Sequence, residues 1–284
     1  MKAYLHADLH CHSIYSDGTL SPEDLAARAH ANGVDLWALT DHDEVSGIAR
    51  ARVAAQSLGL PFLAGVEISV SFAGQTVHIV GLGLDDAQEG LRHGLQQTRG
   101  GRGARAQEMS DSLAQAGIPG CYEGALKYVG NPELISRTHF ARHLVQAGVC
   151  RDTSEVFRKY LTEGKPGYVP HRWARLQDAV QWILVSGGVA VIAHPARYGF
   201  SANEEYALFS EFKAHGGQAV EVITGSHSAA EALRYAETAH EFGLAASCGS
   251  DFHSPTESHL DLGQLPLLPG HLTPVWELLQ DRIQ

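Results

Sequence analysis

Histidine and carboxylate side chains alternate near the start of the chain, which carries 17 histidines. Asp8, His10 and His12 stand two residues apart, so a strand would place all three on one face. Two imidazoles at this spacing can hold one cation, because histidine is the commonest metal ligand in proteins. The spacing therefore predicts a metal site at the end of this strand, with His6 deeper on the same face as a hydrogen-bonded core histidine.

Further histidine and carboxylate residues stand at or near the ends of other predicted strands. The first of them, Asp17, lies in a turn that can bring its carboxylate back over the end of the first strand. Buried charged groups in such positions are costly unless they are paired or bound to metal. The pattern predicts one shared metal site, to which these residues contribute: Asp17, His42, Glu67, His78, His194, Asp251 and His253.

Short apolar or β-branched runs alternate with amphipathic stretches along most of the chain. The predicted strands are 3–9, 35–40, 61–69, 76–82, 189–193, 218–223 and 244–249. The predicted helices among them are 22–32, 45–58, 202–214 and 228–241. Strands that alternate with helices indicate parallel βαβ units. Seven such strands favour an α/β barrel, and its rim would gather the polar residues because the βα loops converge there.

Charge divides the chain into parts of opposite sign, although the formal net charge of the whole chain is −11. Residues 92–175 hold 13 Lys and Arg against 7 Asp and Glu, whereas the remainder holds 8 against 25. The same window shows helical patterns only, so we predict a basic helical insertion at 92–175 between two barrel parts, 1–91 and 176–284. A basic surface of this kind favours anions, with a merely solvated basic face as the alternative.

Composition excludes several classes of protein. Hydrophobic residues make up 44% and charged residues 19%, which is typical of a globular chain rather than a disordered one. The longest apolar run, at 189–193, is far shorter than the roughly 20 residues of a membrane-spanning helix. The four cysteines lie far apart, unlike a disulfide framework. With no signal peptide visible, the sequence predicts a cytoplasmic protein with no membrane contact and no obligate protein partner.

Taken together, the motifs resemble those of the PHP (polymerase and histidinol phosphatase) family. They are Asp8-Leu9-His10-Cys11-His12, Thr40-Asp41-His42-Asp43, Glu67, His78, His194-Pro195 and Ser250-Asp251 followed by His253. The resemblance implies an α/β fold, a distorted seven-stranded (β/α)7 barrel with a helical insertion, and two or three divalent metal ions. It implies one metal bound by His10, His12, Glu67 and Asp251, a second by Glu67, His78 and His194, and a third by Asp17, His42 and His253.

The ligand types and the resemblance together indicate the metal and the reaction. The resemblance favours manganese, and mixed imidazole and carboxylate ligands suit Mn²⁺, Fe²⁺ or Zn²⁺ better than Mg²⁺ or Ca²⁺. Adjacent divalent ions acidify water and neutralise phosphoryl oxygens, which predicts hydrolysis of a phosphate ester. The general acid stays unassigned, and the candidate catalytic residues are Asp17, His42, Glu67, His194, Asp251 and His253.

Two carboxylates beside the ligand His42 have two possible roles. Asp41 and Asp43 are candidates for orienting ligand imidazoles through hydrogen bonds. An equally well supported alternative is that both carboxylates are exposed and cap a helix, so the sequence leaves their role open.

Candidate substrate-binding residues lie beside one metal motif and in the insertion. Arg197 follows His194 by three residues and should overhang the metals, where a guanidinium suits phosphate. In the insertion, a helical pattern opens with polar residues, which predicts either an anion site at a helix N-terminus or a simple N-cap. These residues are Ser136, Arg137, Thr138 and His139.

A second segment of the insertion offers a cation beside an aromatic face. Lys165 and Tyr168 could contact a nucleotide base, since bases stack on aromatic side chains. Tyr168 is equally well explained as a packing residue. Trp173 and Trp182 are predicted to lie in the core.

Within the PHP family, the segments at 136–144 and 164–170 resemble a TrpH-like branch of small bacterial enzymes. The resemblance implies release of the 3′-phosphate from nucleoside 3′,5′-bisphosphates, as in the conversion of pAp to AMP and phosphate. It also implies 5′-to-3′ trimming of short 5′-phosphorylated oligoribonucleotides, so the expected partners are a small nucleotide and short RNA. Two alternatives stay open: a phosphatase for a non-nucleotide metabolite such as histidinol phosphate, and a non-catalytic metal-binding module.

Overall fold

Seven strands form one sheet whose order follows the sequence in the computed structural model, which describes residues 4–284. The two edges of the sheet meet, since the Leu9 amide donates to the Cys248 carbonyl at 3.0 Å and the His12 amide donates to the Phe252 carbonyl at 2.9 Å. The predicted seven-stranded α/β barrel is confirmed. Its strands are β1 (Ala7–Asp8), β2 (Leu36–Leu39), β3 (Phe62–Phe72), β4 (Gln75–Leu82), β5 (Val189–Ile192), β6 (Ala219–Thr224) and β7 (Ala245–Gly249).

The direction of β4 departs from the predicted parallel arrangement. This strand runs antiparallel to both β3 and β5, while the other neighbouring strands pair in parallel. The cause is the connection between β3 and β4, where Ala73 and Gly74 have φ angles of 47° and 78° and form a two-residue turn. Such a turn joins antiparallel strands, whereas parallel strands need a long crossover. The hairpin places His78 on the strand beside the one that carries Glu67.

The first strand is shorter than predicted. Residue 3 of the predicted strand 3–9 lies outside the described residues, and only Ala7–Asp8 pair as a strand. The amides of Leu5 and His6 donate to the Asp35 carboxylate at 2.8 and 3.0 Å, and the Asp35 amide donates to the His6 carbonyl at 3.1 Å. This stretch is thus bound to the residue before β2 instead of pairing along the strand. The His6 side chain is exposed, so its prediction as a core histidine was wrong.

Ten α-helices occur in residues 4–284, besides 3₁₀ and π segments, and those outside the segment between β4 and β5 pack against the barrel core. The predicted helices 22–32, 45–58, 202–214 and 228–241 correspond to the first, second, ninth and tenth. The first begins as predicted, with Pro22 at its first position and the Ser21 hydroxyl accepting from the Asp24 amide at 3.1 Å. The helices are α1 (Pro22–Ala31), α2 (Ile48–Leu58), α3 (Glu89–Arg99), α4 (Arg102–Gln115), α5 (Cys121–Leu126), α6 (Arg137–Gln146), α7 (Thr153–Val156), α8 (Leu176–Val185), α9 (Ala202–Ala214) and α10 (Ala229–Phe242).

The segment between β4 and β5 has a hydrophobic cluster of its own. Its buried residues come from α4 to α7 and the adjoining loops, and include Met109, Leu113, Phe140 and Leu144. By contrast, α3 and α8 contribute to the barrel core. The division of the chain into 1–91, 92–175 and 176–284 stays a prediction. None of the helices in residues 4–284 combines the length and apolar character that a membrane crossing requires.

Candidate metal centre

The nine side chains predicted to bind metal lie together at the mouth of the barrel where the parallel strands end. Their nitrogen and oxygen atoms form four groups, and within each group the atoms lie within 4.8 Å of one another. Shared members join the groups into one continuous cluster. The groups are His12, Asp17, His42 and His253; His10, Glu67 and His194; His10, His12 and Asp251; and His42, Glu67 and His78.

Glu67 lies at the middle of the cluster, and its side chain is fully buried. Its Oε1 lies 2.9 Å from His78 Nδ1 and 3.0 Å from His194 Nε2, while its Oε2 lies 2.8 Å from His42 Nδ1. The backbone fixes this position, because the Glu67 amide donates to the Asp41 carbonyl at 3.1 Å. The pairing of β2 with β3, together with that of β3 with β4 and β4 with β5, therefore places one carboxylate among three imidazoles.

The ends of β1, β5 and β7 contribute the other side of the cluster. His12 Nε2 lies 3.1 Å from Asp251 Oδ1, and His10 Nε2 lies 3.5 Å from the same oxygen. Asp251 and His194 adopt positive φ angles of 53° and 27°, which cost roughly 1–3 kcal/mol each and persist only where contacts hold them. One such contact is the Asp251 amide, which donates to the His10 carbonyl at 2.8 Å. The strained backbone directs these side chains into the cluster.

Several buried polar atoms of the cluster have no hydrogen-bond partner in the described residues. They include Asp17 Oδ1, His42 Nδ1 and Glu67 Oε2. The last two atoms lie 2.8 Å apart without hydrogen-bond geometry. Such atoms are costly to bury, and a cation would satisfy them. Because the donors are imidazole nitrogens and carboxylate oxygens, the residues fit divalent ions such as Mn²⁺, Fe²⁺ or Zn²⁺.

Three of these side chains have charge states that suit metal binding. Burial alone would raise the pKa of Glu67, but the surrounding imidazoles, His78 foremost, lower that pKa well below its ordinary value. Burial lowers the pKa of His12 to about 3 and that of His194 to about 4. The site therefore presents an ionised carboxylate and, at these two positions, neutral imidazoles, which are the forms that bind cations.

One side of the same pocket is basic. Arg105 and Arg137 have no ion-pair partner among the described residues; each instead donates to a backbone carbonyl. Burial, followed by the charges of Arg137 and Arg102, lowers the pKa of Arg105 to about 10. Guanidinium groups that are buried close together without a counter-ion form a site for an anion such as phosphate. We call this side the arginine wall, and it consists of Arg102, Arg105, Arg137 and Arg197.

Two members of the arginine wall connect it to the metal cluster. Arg102 forms a buried ion pair with Asp43, the residue after His42. Arg197 Nη1 lies 2.5 Å from Asp251 Oδ2, while half of the arginine side chain is exposed to solvent. Arg197 therefore lies beside the candidate metal ligands, and its role in binding substrate stays a prediction.

Comparison with known proteins agrees with this architecture. The PHP domain profile matches residues 8–224, more than half of the chain. The chain belongs to the PHP domain family. It is 52% identical over 276 residues to the 3′,5′-nucleoside bisphosphate phosphatase of Chromobacterium violaceum, and the alignment covers 97% of both chains. It is 41% identical over 273 residues to the 5′-3′ exoribonuclease Rnm of Escherichia coli, covering 95% of this chain and 92% of that relative.

A solved structure supports the same relationship. It is that of an amidohydrolase from Chromobacterium violaceum with bound sulfate and no metal, which superposes on this PHP protein with a TM-score of 0.96 at 52% identity. The superposition covers 98% of this chain and 97% of the other. The comparisons confirm the predicted family and the predicted enzyme class, a phosphoesterase, and do not favour the two alternatives.

One important residue of the PHP site is absent from the sequence prediction. Glu221, buried on β6, has its Oε1 2.8 Å from His10 Nδ1, and its Oε2 accepts from the His194 amide at 2.7 Å. The first contact turns His10 Nε2 toward the cluster, and the second holds the strained backbone of His194. The available signal was a single carboxylate within the apolar strand Ala219–Thr224.

Asp41 and Asp43 match neither of the two predicted roles. Both are buried, so they are not exposed capping residues. The Asp41 carboxylate accepts from the Ser13 amide and hydroxyl at 2.7 and 2.6 Å, and thereby fixes the turn that leads to Asp17. Asp43 accepts from the Ser69 amide at 2.8 Å and pairs with an arginine of α4. Their hydrogen bonds thus position loops rather than ligand imidazoles.

The predicted anion site of the insertion is partly at the pocket. Ser136, Arg137 and Thr138 line it, at the N-terminus of α6. His139 is buried and does not line the pocket. Its Nδ1 accepts from the Ser136 amide at 3.0 Å, so it caps the helix. The residues at the N-terminus of α6 thus cap the helix and also line the pocket.

Of the predictions for aromatic residues, the one that places Trp173 in the core is wrong. Trp173 is half-buried and lines the pocket instead of the core, with the Arg102 guanidinium 4.5 Å from its ring centre. Trp182 packs against the barrel core as predicted. Lys165 is exposed and Tyr168 is half-buried, and neither lines the pocket. Their contact with a base stays a prediction.

Sequence reasoning also missed Arg102 and Arg105. They stand three residues apart on α4, a spacing that places side chains on the same side of a helix. The three-residue spacing is visible in the sequence and could have been noticed. The spacing does not show that α4 turns this side toward the barrel mouth.

Proposed function

We propose that this PHP enzyme removes the 3′-phosphate from nucleoside 3′,5′-bisphosphates, for example converting pAp to AMP and phosphate. One observation carries the proposal: a single pocket combines nine candidate metal ligands with an arginine wall, and two of the four arginines have no ion-pair partner among the described residues. A phosphate monoester with one phosphate would use only the cluster, whereas a bisphosphate uses both. The activity named for the Chromobacterium violaceum relative supports this substrate.

The proposal includes two or three divalent ions at the barrel mouth, with Mn²⁺ as the resident ion and Fe²⁺ or Zn²⁺ as ions that the same donors accept. When bound, such ions acidify water and neutralise phosphoryl oxygens during in-line displacement at phosphorus. We assign one ion to His10, His12, Glu67 and Asp251, a second to Glu67, His78 and His194, and a third to Asp17, His42 and His253.

The side chains of the enzyme hold the substrate at its two phosphates. Arg105 and Arg137 bind the 5′-phosphate together with the hydroxyl of Thr138, since all three residues line the pocket. Ser136 lines it too, and its hydroxyl lies 3.4 Å from Asp17 Oδ2, where it can contact the substrate beside the cluster. Arg197 is the member of the arginine wall that pairs with Asp251 of the cluster, so its guanidinium can stabilise charge on the phosphoryl group as the bond to the 3′-oxygen breaks. The residues that surround the 3′-phosphate form the proposed catalytic set: Asp17, His42, Glu67, His194, Asp251 and His253.

The substrate is tested by comparing phosphate release from pAp, 3′-AMP and histidinol phosphate by the Mn²⁺-loaded enzyme. We expect kcat/KM for pAp to exceed that for 3′-AMP about 100-fold, since a charge-assisted hydrogen bond contributes about 1.5–3 kcal/mol and the arginine wall offers more than one. The third compound should react more slowly still. Preference for histidinol phosphate, or equal rates for pAp and 3′-AMP, would contradict the proposal.

A second activity, 5′-to-3′ trimming of short 5′-phosphorylated RNA, is favoured by similarity to the Escherichia coli exoribonuclease. Both substrates carry a 5′-phosphate one nucleoside away from the phosphorus that is attacked. We further propose that the enzyme acts in the cytoplasm without an obligate protein partner. All four cysteines are free and buried, which suits a reducing compartment.

A further inference from the structure

The aromatic ring of Phe157 borders two cavities. One is the pocket at the metal cluster, and the other is an adjoining cavity of about 440 Å³ that shares Phe157, Thr138 and Arg197 with it. The Phe157 side chain is half-buried, so a substrate held at the cluster can reach its ring. We call the second cavity the side cavity, and its wall includes the hydroxyl residues Thr153, Ser154, Ser226 and Ser258.

A short π-helical turn, Phe157–Leu161, positions this ring. Its wide hydrogen bond runs from the Thr162 amide to the Phe157 carbonyl at 3.1 Å. The two ends of the turn contact the same guanidinium. The Phe157 ring centre lies 5.7 Å from Arg137 Cζ, and the Leu161 carbonyl accepts from Arg137 Nη1 at 3.4 Å. Because π-helical turns are rare and occur frequently at functional sites, this contact with the arginine wall points to a role for the ring.

The position of Arg137 indicates where the base of the substrate lies. In the proposed function, Arg137 binds the 5′-phosphate. In a nucleotide, the base and the 5′-carbon project from the same face of the ribose, opposite the 3′-oxygen. The base is therefore expected on the side of the 5′-phosphate, within reach of the ring that contacts Arg137. Bases stack readily on aromatic side chains, so this ring can hold the base.

Trp173 also offers a ring to the pocket, but its surroundings are filled. The Cζ atoms of Arg102 and Arg105 lie 4.5 and 5.4 Å from the Trp173 ring centre, and the His171 ring centre lies 4.2 Å away. The indole N–H donates to the Thr76 hydroxyl at 3.0 Å. Trp173 thus supports the arginines that bind phosphate. The ring of the π-helical turn, by contrast, borders the open space of the side cavity.

The chemistry of the side cavity suits the edge of a base. Among the described residues that line it, Arg197 is the sole lysine or arginine. The carboxylate of Glu257 is paired with Arg142, whose Nη2 lies 2.7 Å from Glu257 Oε2. The serine and threonine hydroxyls of the wall both donate and accept hydrogen bonds. Such a wall fits the polar edge of a base better than a further phosphate.

We propose that Phe157 binds the base of the substrate: the base stacks on the phenyl ring, with its edge toward the side cavity. This inference rests on the proposed function, because it takes the position of the 5′-phosphate from it. The phenyl ring carries no charge and transfers no proton. Its contribution is therefore to hold the nucleoside while the metal cluster acts on the 3′-phosphate.

The test compares pAp with 1,4-anhydroribitol 3,5-bisphosphate, which has both phosphates and the sugar ring but a hydrogen in place of the base. In the wild-type enzyme we expect kcat/KM for pAp to exceed that for the analogue about tenfold or more, as for one base stacked on an aromatic side chain. Phe157→Leu should reduce this ratio to less than about threefold, because leucine offers no ring for stacking. Phe157→Tyr should retain the wild-type ratio.

Two further variants show whether the effect is specific to this ring. Phe242→Leu is the matched control, because Phe242 is a half-buried phenylalanine of α10 that lines neither cavity, and it should leave the ratio unchanged. Trp173→Leu should lower kcat/KM for both compounds by a similar factor, since Trp173 supports the arginines. Both compounds are measured on the same preparation, so partial loss of folded protein does not change the ratio.

The outcomes separate this inference from the proposed function. Wild-type enzyme that hydrolyses pAp and the analogue equally well would overturn the inference and leave the proposed function in place. A wild-type ratio in Phe157→Leu, or a ratio lost in Trp173→Leu instead, would also overturn it, since the base would then lie elsewhere. Wild-type enzyme that releases phosphate from neither compound would overturn the proposed function and this inference with it.

Discussion

The barrel mouth and the arginine wall face the same pocket but are built in different ways. Most candidate metal ligands follow strand ends, Glu67 and His78 lie within β3 and β4, and the sheet register fixes their mutual positions. The arginines come from α4, the start of α6 and the loop after β5. Imidazoles and carboxylates neutralise one another at the mouth, whereas Arg105 and Arg137 have no ion-pair partner in residues 4–284. The mouth is thus built to hold cations, and the wall is left with positive charge that a substrate can neutralise.

The largest expected effect is the loss of Glu67, because this carboxylate contacts three imidazoles of the mouth. Glu67→Gln should lower kcat for pAp by a factor of about 10³ or more and reduce the bound metal, since the carboxylate is proposed to bridge two ions. Metal analysis and steady-state kinetics measure both quantities. Glu241→Gln, an exposed change on α10, is the control. Near-normal turnover with full metal content would contradict the role assigned to Glu67.

Loss of an arginine should have a smaller effect that depends on the substrate. Arg105→Met and Arg137→Met should each lower kcat/KM for pAp about 10- to 100-fold, as expected for one charge-assisted hydrogen bond. The rate with 3′-AMP should change less than about threefold, because that substrate has no 5′-phosphate. Arg175→Met serves as control, since Arg175 pairs with Asp178 outside the pocket. Equal losses with pAp and 3′-AMP would show that the wall acts on the 3′-phosphate instead.

Replacing Glu221 tests whether metal binding at the barrel mouth depends on a residue outside the proposed ligand set. Glu221→Gln should weaken Mn²⁺ binding about 10- to 100-fold, a typical effect when the hydrogen-bond partner of a ligand imidazole is changed. Excess Mn²⁺ should restore most of kcat, because His10 itself remains. Titration of the metal-free protein with Mn²⁺ gives the affinity. A kcat that stays low at saturating Mn²⁺ would indicate that Glu221 takes part in the reaction itself.

The smallest expected effect is on the pH dependence of protein stability, through His139 of α6, the helix that carries Arg137 of the arginine wall. Burial lowers the pKa of His139 to about 4, so the folded protein keeps this side chain neutral while the unfolded chain binds a proton below its ordinary pKa. The stability contributed by neutral His139 is therefore lost as pH falls from about 6.5 toward 4. At pH 5 the loss relative to neutral pH should be about 2 kcal/mol.

His139→Gln removes this titrating group and isolates its contribution. The difference in free energy of unfolding between wild-type protein and His139→Gln should narrow by that amount between pH 7.5 and pH 5. Urea unfolding of the metal-free proteins measures it, which separates the effect from metal loss. A difference independent of pH would show that His139 is not buried in its neutral form.

The barrel and its mouth could largely be predicted because their signals are local. His10 and His12 are two residues apart on one extended stretch, and residues at the ends of parallel strands share one rim. The direction of β4 was not anticipated, although the turn at Ala73-Gly74 contains the information. This two-residue turn indicates antiparallel pairing only if the ends of both strands beside it are already known.

Arg137 and Arg197 of the arginine wall were predicted, whereas Arg102 and Arg105 were not, because their position depends on how the helices fold back onto the barrel. Arg102 and Arg137 are far apart in sequence and meet only through the packing of α4 and α6. The ion pair of Arg102 with Asp43 joins this packing to the loop after β2. Trp173 lines the pocket for the same reason. Glu221 was not predicted as a site residue because a single carboxylate in a strand sequence does not show which residues it contacts.

The central claim is that the barrel mouth hydrolyses the 3′-phosphate of a nucleotide only when it holds divalent cations. The most direct test is to titrate the chelator-treated enzyme with Mn²⁺ and follow both bound metal and phosphate release from pAp. We predict no release without metal, a rise with occupancy, and saturation at two or three ions per chain. Full activity without bound metal, or full occupancy without phosphate release, would contradict the account.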